Sequence, residues 1–151
     1  MTEDPTKDPL AIGLGSLASG VGFGGACLTA AQIIAALLRQ GLEPAAFRET
    51  APDPLLAGLI AAVGVGGACG WYRSYSLDNI WQRGVIGVLG AVGAILVGFL
   101  AAPVDRFFGI IGMAVWIAAN IAIGAAGRRW AITGKGVGGM GRAAGGGPGT
   151  A

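Results

Sequence analysis

Hydrophobic and polar residues are segregated along this chain into long charge-free blocks. Four segments contain no Asp, Glu, Lys or Arg: residues 10–38, 55–72, 84–104 and 107–127. They hold 29, 18, 21 and 21 residues, and a helix needs about 20 apolar residues to cross a hydrocarbon core of about 30 Å. The pattern predicts an all-α fold, an integral membrane bundle of about four glycine-rich transmembrane helices. The first helix is long enough to tilt or to protrude.

A soluble bundle of buried helices is the alternative interpretation of these blocks. Helices of that kind carry polar residues every few positions along one face, and none of the four segments does. The composition also favours a membrane protein, because 54% of the residues are hydrophobic and 12% are charged, whereas a soluble domain carries about 25% charged residues. The first apolar block is much longer than the core of a cleaved signal peptide, about 7–15 residues.

The polar residues divide the chain into three parts. Residues 1–9 form a polar lead-in, residues 10–130 form the transmembrane domain, and residues 131–151 form a glycine-rich tail that we expect to be flexible. Three prolines within 39–54 predict an extended loop, with room for a short interfacial helix at 45–49. Asp105 and Arg106 follow Pro103 and predict a tight turn, so that the last two spans form a helical hairpin.

The distribution of Lys and Arg predicts the orientation of the bundle. With the N-terminus inside, seven basic residues lie inside and three (Arg39, Arg48, Arg106) lie outside. The excess predicts cytoplasmic termini, and the bacterial inner membrane is the location we favour. Rings that prefer the headgroup level fall at the same inner interface. These predicted interface anchors are Trp71, Tyr72, Tyr75, Trp81 and Trp130.

Thirty glycines indicate that the helices pack closely, since small residues let backbones approach each other in lipid. The third span carries a continuous stripe of small residues at alternating spacings of three and four. Its members are Gly84, Gly87, Ala91, Ala94, Gly98 and Ala101. Two interpretations stay open: the stripe packs inside the bundle, or it forms a face for another subunit.

A short sequence is repeated in the first two spans. Residues 21–27 match residues 63–69 at six of seven positions, and each copy ends in a cysteine. Gly20, Gly24 and Gly66 are predicted helix-packing positions of this repeat, which the four-span topology would make inverted. Cys27 and Cys69 would differ in depth by roughly 13 Å at about 1.5 Å per residue, so we expect two free thiols.

The residues needed for common catalytic and metal sites are missing from this sequence. It has no His and two isolated Cys, so we expect no enzyme activity, no catalytic or cofactor-binding residues, no cofactor and no metal site. Gln32 and Asn120 are the notable polar residues inside the spans. Asn120 lies deep in the fourth span, where it predicts an interhelical hydrogen bond or, alternatively, a pore-lining or ligand-binding role.

Gly20, Gly22 and Gly24, followed by Arg39-Gln40, resemble the first helix of rotary ATPase ring subunits. That resemblance implies a carboxylate in the middle of a partner helix, where it would carry the ion. No span of this chain contains Asp or Glu, so the resemblance extends to helix packing alone.

The pattern as a whole favours a non-catalytic structural or accessory subunit of a homo- or hetero-oligomeric membrane assembly. Its expected partners are the lipid bilayer and copies of itself or other membrane subunits. We expect no binding to nucleic acid. The first alternative is a pore-forming protein of the holin or small-channel class, which the small size and basic tail would suit. The second is a small transporter, suggested by the inverted repeat.

Overall fold

The computed structural model describes residues 8–39 and 53–134. Over these ranges the chain is all-α and contains no strand, and its four helices are α1 Pro9–Arg39, α2 Pro54–Arg73, α3 Ile80–Phe99 and α4 Ala101–Thr133. All four are long and apolar enough to cross a membrane. The predicted all-α fold and the number of long apolar helices are therefore confirmed for the described residues. The predictions for residues 1–7, for the loop 40–52 and for residues 135–151 of the tail lie outside the described residues. The first residues assigned to the tail, 131–133, instead belong to α4.

Short polar side chains begin three of the helices. The carboxylate of Asp8 accepts a hydrogen bond from the Leu10 amide at 2.9 Å, and that of Asp53 accepts one from the Leu55 amide at 3.0 Å. The Asn79 side chain accepts from the Trp81 amide at 2.9 Å. Each caps an amide that has no partner within its own helix. The first two spans therefore begin within a residue of the predicted positions.

The boundary between the third and fourth helices differs from the predicted turn at Asp105–Arg106. α3 ends at Phe99, and Asp105 and Arg106 lie inside the helical start of α4. Pro103 fits there because the first turn of a helix needs no amide hydrogens. The chain bends instead at Gly109, which has φ 61° and ψ −157°, a conformation that a side chain strongly disfavours.

The bundle is organised around α1, which packs against each of the other three helices. α2 and α3 also pack against each other, whereas α4 lies on the other side of α1 and makes few contacts with either. The predicted hairpin of the last two spans is thus not a packed pair, because α1 lies between them. Along α1, Gly20 contacts Gly66 whereas Gly24 contacts Ala62, so α2 runs antiparallel to α1. Gly15 contacts Gly127 whereas Gly22 contacts Gly124, so α4 also runs antiparallel to α1.

The two ends of the described chain meet at one end of the bundle. The Asp8 amide donates a hydrogen bond to the carbonyl oxygen of Gly134 at 3.0 Å, joining the start of α1 to the end of α4. At the opposite end α1 extends well past the end of α3. Gly98, one residue before the end of α3, contacts Leu28. From Leu28, α1 continues for 11 residues, about 17 Å at 1.5 Å per residue.

Candidate functional site

The repeated segment forms the contact between α1 and α2. Gly20 lies directly against the carbonyl of Gly66, and a methyl group at Gly24 would lie 2.7 Å from the carbonyl oxygen of Ala62. Gly20 corresponds to Ala62 in the repeat, and Gly24 corresponds to Gly66. Exchanging the two copies therefore converts one contact into the other, which makes the pair locally two-fold symmetric. The match between the copies thus coincides with a shared packing surface.

A second glycine contact joins α2 to α3. A methyl group at Gly66 would lie 2.8 Å from the carbonyl oxygen of Gly90, and one at Gly90 would lie 2.6 Å from that of Gly66. One turn further along, a methyl group at Gly70 would lie 2.8 Å from the Ile86 carbonyl oxygen. The two backbones are therefore in direct contact, with α-hydrogens facing carbonyl oxygens as in weak C–H···O interactions.

The middle part of the predicted small-residue stripe faces the interior of the bundle. Gly87, Ala94 and Gly98 are buried. Ala94 packs against Gly24 and Gly66, and Gly98 packs against Leu28. The contact surface of α3 therefore belongs to α1 and α2.

The remaining members of the stripe are placed less tightly. Gly84 lies near the start of α3, with a methyl position 3.6 Å from the Trp71 ring, and Ala91 is half-buried beside Gly66. Ala101 is buried, but it begins α4. Gly90 is not a member of the predicted stripe, but it is buried. The buried face of α3 is wider than a single stripe because α3 contacts both α1 and α2.

The α1–α4 contact uses Gly22 together with three glycines, Gly15, Gly124 and Gly127, that were not among the predicted packing positions. A methyl group at Gly15 would lie 2.7 Å from the Gly127 carbonyl oxygen, and one at Gly127 would lie 2.6 Å from that of Gly15. Gly22 fits against the backbone at Asn120 and Gly124 in the same way, with methyl distances of 2.5 Å. Asn120, Gly124 and Gly127 are spaced by four and three residues, and this spacing could have indicated a packing face on the fourth span.

The two polar residues singled out from the sequence have different surroundings. Gln32 Nε2 on α1 donates a hydrogen bond to the Gly98 carbonyl oxygen at 3.1 Å. Trp116 Nε1 on α4 donates to the neighbouring Val97 carbonyl oxygen at 3.2 Å. Carbonyls in the last turn of a helix have no partner within it. Gln32 and Trp116 therefore cap the end of α3 from two sides, a role that sequence spacing did not indicate.

Asn120 and Ser19 leave polar atoms unpaired within the protein interior. Asn120 is 2% exposed, and its Nδ2 donates to the Trp116 carbonyl oxygen at 2.9 Å. Its Oδ1 faces Gly25 and has no hydrogen-bond partner among the described residues. Ser19, also fully buried, has an unpaired Oγ. By contrast, Ser16 and Thr29 donate to backbone carbonyls of their own helix, at 2.7 and 2.9 Å.

The five predicted interface anchors lie at one end of the bundle, the end where the described chain begins and finishes. Trp71 and Tyr72 end α2, Tyr75 and Trp81 flank the start of α3, and Trp130 lies near the end of α4. The first four are exposed. Arg83 holds one of these anchors, Tyr75, in place. Its guanidinium lies 4.7 Å from the centroid of the Tyr75 ring, and its Nε donates a hydrogen bond to the Leu77 carbonyl oxygen at 2.7 Å.

Chemically reactive groups are sparse in the described part of the chain. Cys27 and Cys69 are both free and partly exposed. Among residues 8–39 and 53–134, no group of three or more His, Cys, Asp or Glu could hold a metal ion. The feature that distinguishes this part of the molecule is therefore its glycine packing, with α1 at the centre.

The chain matches no known protein-family model, and neither a characterised protein nor a solved structure resembles it significantly.

Proposed function

We propose that this chain is a non-catalytic, membrane-spanning subunit of an oligomeric membrane assembly, with both termini in the cytoplasm. The observation that carries the proposal is the outer surface of α2, α3 and α4. Large apolar side chains on it are more than half exposed, among them Ile60, Val88, Leu96, Ile111 and Val115. Large exposed apolar surfaces mark contact with lipid or with other proteins, and helices of this length and composition fit a bilayer.

The distribution of charge supports the orientation. Four arginines lie at the end of the bundle where the described chain begins and finishes, which is also the end that carries the five aromatic anchors. They are Arg73, Arg83, Arg128 and Arg129. Arg106 lies at the other end. Basic residues are retained on the cytoplasmic side of membrane proteins, and Trp and Tyr rings anchor at the headgroup level. Both features favour the same end as the cytoplasmic one.

The outer face of α2 is the surface we assign to a partner helix. Ala57, Gly64 and Ala68 are exposed on it, and no atom lies within 4 Å of a methyl group placed at Gly64. Small residues allow a second helix to approach closely in lipid, and none of the other described helices packs against this surface. The stripe on α3 is occupied by α1 and α2, so a partner contact there would require the bundle to open.

A pore is the competing proposal, and the polar side chains give it little support. A water-filled path needs polar groups along it, whereas Ser16 and Thr29 direct their hydroxyls to carbonyls of their own helix. Liposomes that contain the reconstituted protein should release trapped ions and small solutes no faster than liposomes without protein. Measurable conductance would favour the pore.

The assembly is tested by the size of the complex extracted in mild detergent. Wild-type protein should fractionate with membranes and elute, by light scattering corrected for detergent, as more than one chain. Gly64→Leu and Ala68→Leu should reduce the mass of the complex while leaving thermal stability close to wild type. Val63→Leu, an exposed change on the same helix, is the matched control. A monomeric wild-type protein would contradict the proposal.

A further inference from the structure

The end of α3 lies within the bundle and not at its edge. Positions along α1 give a scale, because α1 packs against each of the other helices. Gly98, one residue before the end of α3, contacts Leu28. On α2, Gly58 contacts Ala31, and Asp53, which caps that helix, precedes Gly58 by five residues and so lies about 8 Å further along α1. By this measure Gly98 falls about 12 Å short of the charged cap of α2, at 1.5 Å per residue.

The bend of α4 returns to the level of that cap. Asn120 lies beside Gly22 and Gly25 of α1. Gly109, where the bend falls, precedes Asn120 by eleven residues, about 17 Å of helix. The same length measured along α1 ends within residues 33–36, which is also the level of the α2 cap. The bend therefore lies at the edge of the bundle, at the end opposite the aromatic anchors.

The part of α4 before the bend, Ala101–Phe108, connects these two levels, and we call it the elbow. A straight helix from Gly98 to Gly109 would advance about 17 Å, whereas the two levels on α1 differ by about 10 Å. The chain between them is therefore inclined to α1 by roughly 50°. The inclination begins where α3 ends, at Phe99.

Charged and aromatic side chains lie on opposite faces of the elbow. Ala101 is buried and Val104 is half-buried, so this face packs against the bundle. At 3.6 residues per turn, Asp105 and Arg106, both exposed, point about 100° and 200° away from Val104. Phe107, 77% exposed, points about 60° away on the other side. A helix with one charged and one aromatic face suits the boundary between headgroups and hydrocarbon.

The backbone at the end of α3 is paired in the way required of a helix that ends inside hydrocarbon. The last carbonyls of a helix have no partner within it, and hydrocarbon offers no water in place of one. Here the Gly98 carbonyl oxygen accepts from Gln32 at 3.1 Å, and that of Val97 accepts from Trp116 at 3.2 Å. Both donors are side chains of neighbouring helices. At a wet boundary these two side chains would be unnecessary, because water would pair with the carbonyls.

We propose that the elbow lies obliquely in the membrane–water interface opposite the aromatic anchors, where it binds the lipid headgroup layer. A segment about 12 Å long and inclined by roughly 50° occupies about 8 Å of depth, close to the thickness of one headgroup layer, about 5–8 Å. Asp105 and Arg106 then face headgroups and water, Phe107 faces the acyl chains, and α3 ends within the hydrocarbon. This inference rests on the proposed insertion of the chain into a membrane.

The test measures the depth of elbow residues in vesicles of phosphatidylethanolamine and phosphatidylglycerol. In full-length protein both native cysteines are replaced by alanine, and one nitroxide is attached to a cysteine that replaces Ala102, Arg106 or Phe107. Depth follows from collisions with oxygen, which concentrates in hydrocarbon, relative to collisions with a nickel chelate that stays in water. We expect Phe107 to be several ångströms deeper than the other two positions. An elbow running along the bundle would instead place Phe107 about 7 Å nearer to water than Ala102. That order, or equal depth at all three positions, would overturn the proposal.

A matched pair of acidic substitutions tests the two faces. Ala102→Glu adds a carboxylate on the headgroup side and should leave the melting temperature in the same vesicles close to wild type. Phe107→Glu adds it on the acyl-chain side and should lower the melting temperature by several degrees, because charge resists transfer into hydrocarbon. Phe107→Leu, which stays apolar, is the control and should resemble wild type. Equal tolerance of both acidic changes would put the elbow in water, equal loss of stability would put it in hydrocarbon, and either result overturns the proposal.

Failure of membrane insertion and failure of the elbow give different results. Protein missing from the membrane fraction would overturn the proposed function itself. Membrane-bound protein in which depth changes steadily along the elbow would overturn this inference alone and leave the proposed function intact.

Discussion

Gly66 and Gly64 provide a matched pair of substitutions on one helix. A methyl group at Gly66 would lie 2.8 Å from the Gly90 carbonyl oxygen and 2.9 Å from Ala94 Cβ. Non-bonded carbon atoms are most stable at about 3.5–4.0 Å, so α3 must move outward by roughly 0.5–1 Å to admit the methyl group. At Gly64 no atom lies within 4 Å. The same change therefore meets packed backbone at one position and open space at the other.

The expected effects follow from the lost contacts. A gap of 0.5–1 Å forfeits about a quarter to a half of the attraction between facing atoms, and overpacking in a tight core costs about 1–3 kcal/mol. We expect Gly66→Ala to lower the free energy of unfolding by that amount. Gly64→Ala should be neutral or stabilising by up to about 1 kcal/mol, because alanine is the better helix former.

Reversible unfolding in detergent, followed by circular dichroism or by steric trapping, measures both values. The outer surface is also the proposed partner contact, so unfolding should be compared at a concentration where both variants have the same oligomeric state. Equal stabilities, or a Gly66→Ala variant more stable than Gly64→Ala, would refute the conclusion that Gly66 is fixed by backbone contact with α3.

Three further predictions concern the polar groups and the topology. Ser19→Ala should be neutral or stabilising by about 1 kcal/mol, because it removes a buried hydroxyl that has no partner among the described residues. Ser16→Ala, which removes a hydrogen-bonded hydroxyl, is the control, and clear destabilisation by Ser19→Ala in thermal unfolding would reveal a partner for Ser19. Trp116→Phe should cost about 1 kcal/mol in the same assay, since it leaves a carbonyl of α3 without its donor, and an unchanged stability would show that this cap is dispensable. Reporter fusions after Arg48 and after Arg142 should report opposite sides of the membrane, and agreement between them would refute the four-span topology.

The first two helices could be predicted almost completely from the sequence. Their predicted limits, 10–38 and 55–72, differ by one residue at each end from Pro9–Arg39 and Pro54–Arg73. Proline and charge coincide with the ends of these apolar runs, so local chemistry and helix limits agree. The third and fourth helices share no such marker, because the pair Asp105–Arg106 lies in helical structure while the bend falls at Gly109.

The difference has a physical cause. Charged residues indicate where a chain meets water, whereas a helix ends where its hydrogen bonds cease. Arg83 in the first turn of α3 and Arg128 near the end of α4 are both tolerated because they lie at helix ends. At the end of α3, Gln32 and Trp116 supply donors to carbonyls of the last turn. Those donors come from two other helices, so spacing along the chain could not reveal them.

The sequence by itself determined the all-α fold, the number of long apolar helices and the aromatic end of the bundle, since these depend on apolar length and on the placement of polar residues. The partner of each glycine was decided by the tertiary structure. Gly66 contacts both Gly20 on α1 and Gly90 on α3, whereas Gly15 and Gly22 contact α4. The spacing of these glycines along their helices does not distinguish the two groups. Spacing identifies which residues share a helix face, but the neighbouring helix on that face depends on how the whole bundle packs around α1.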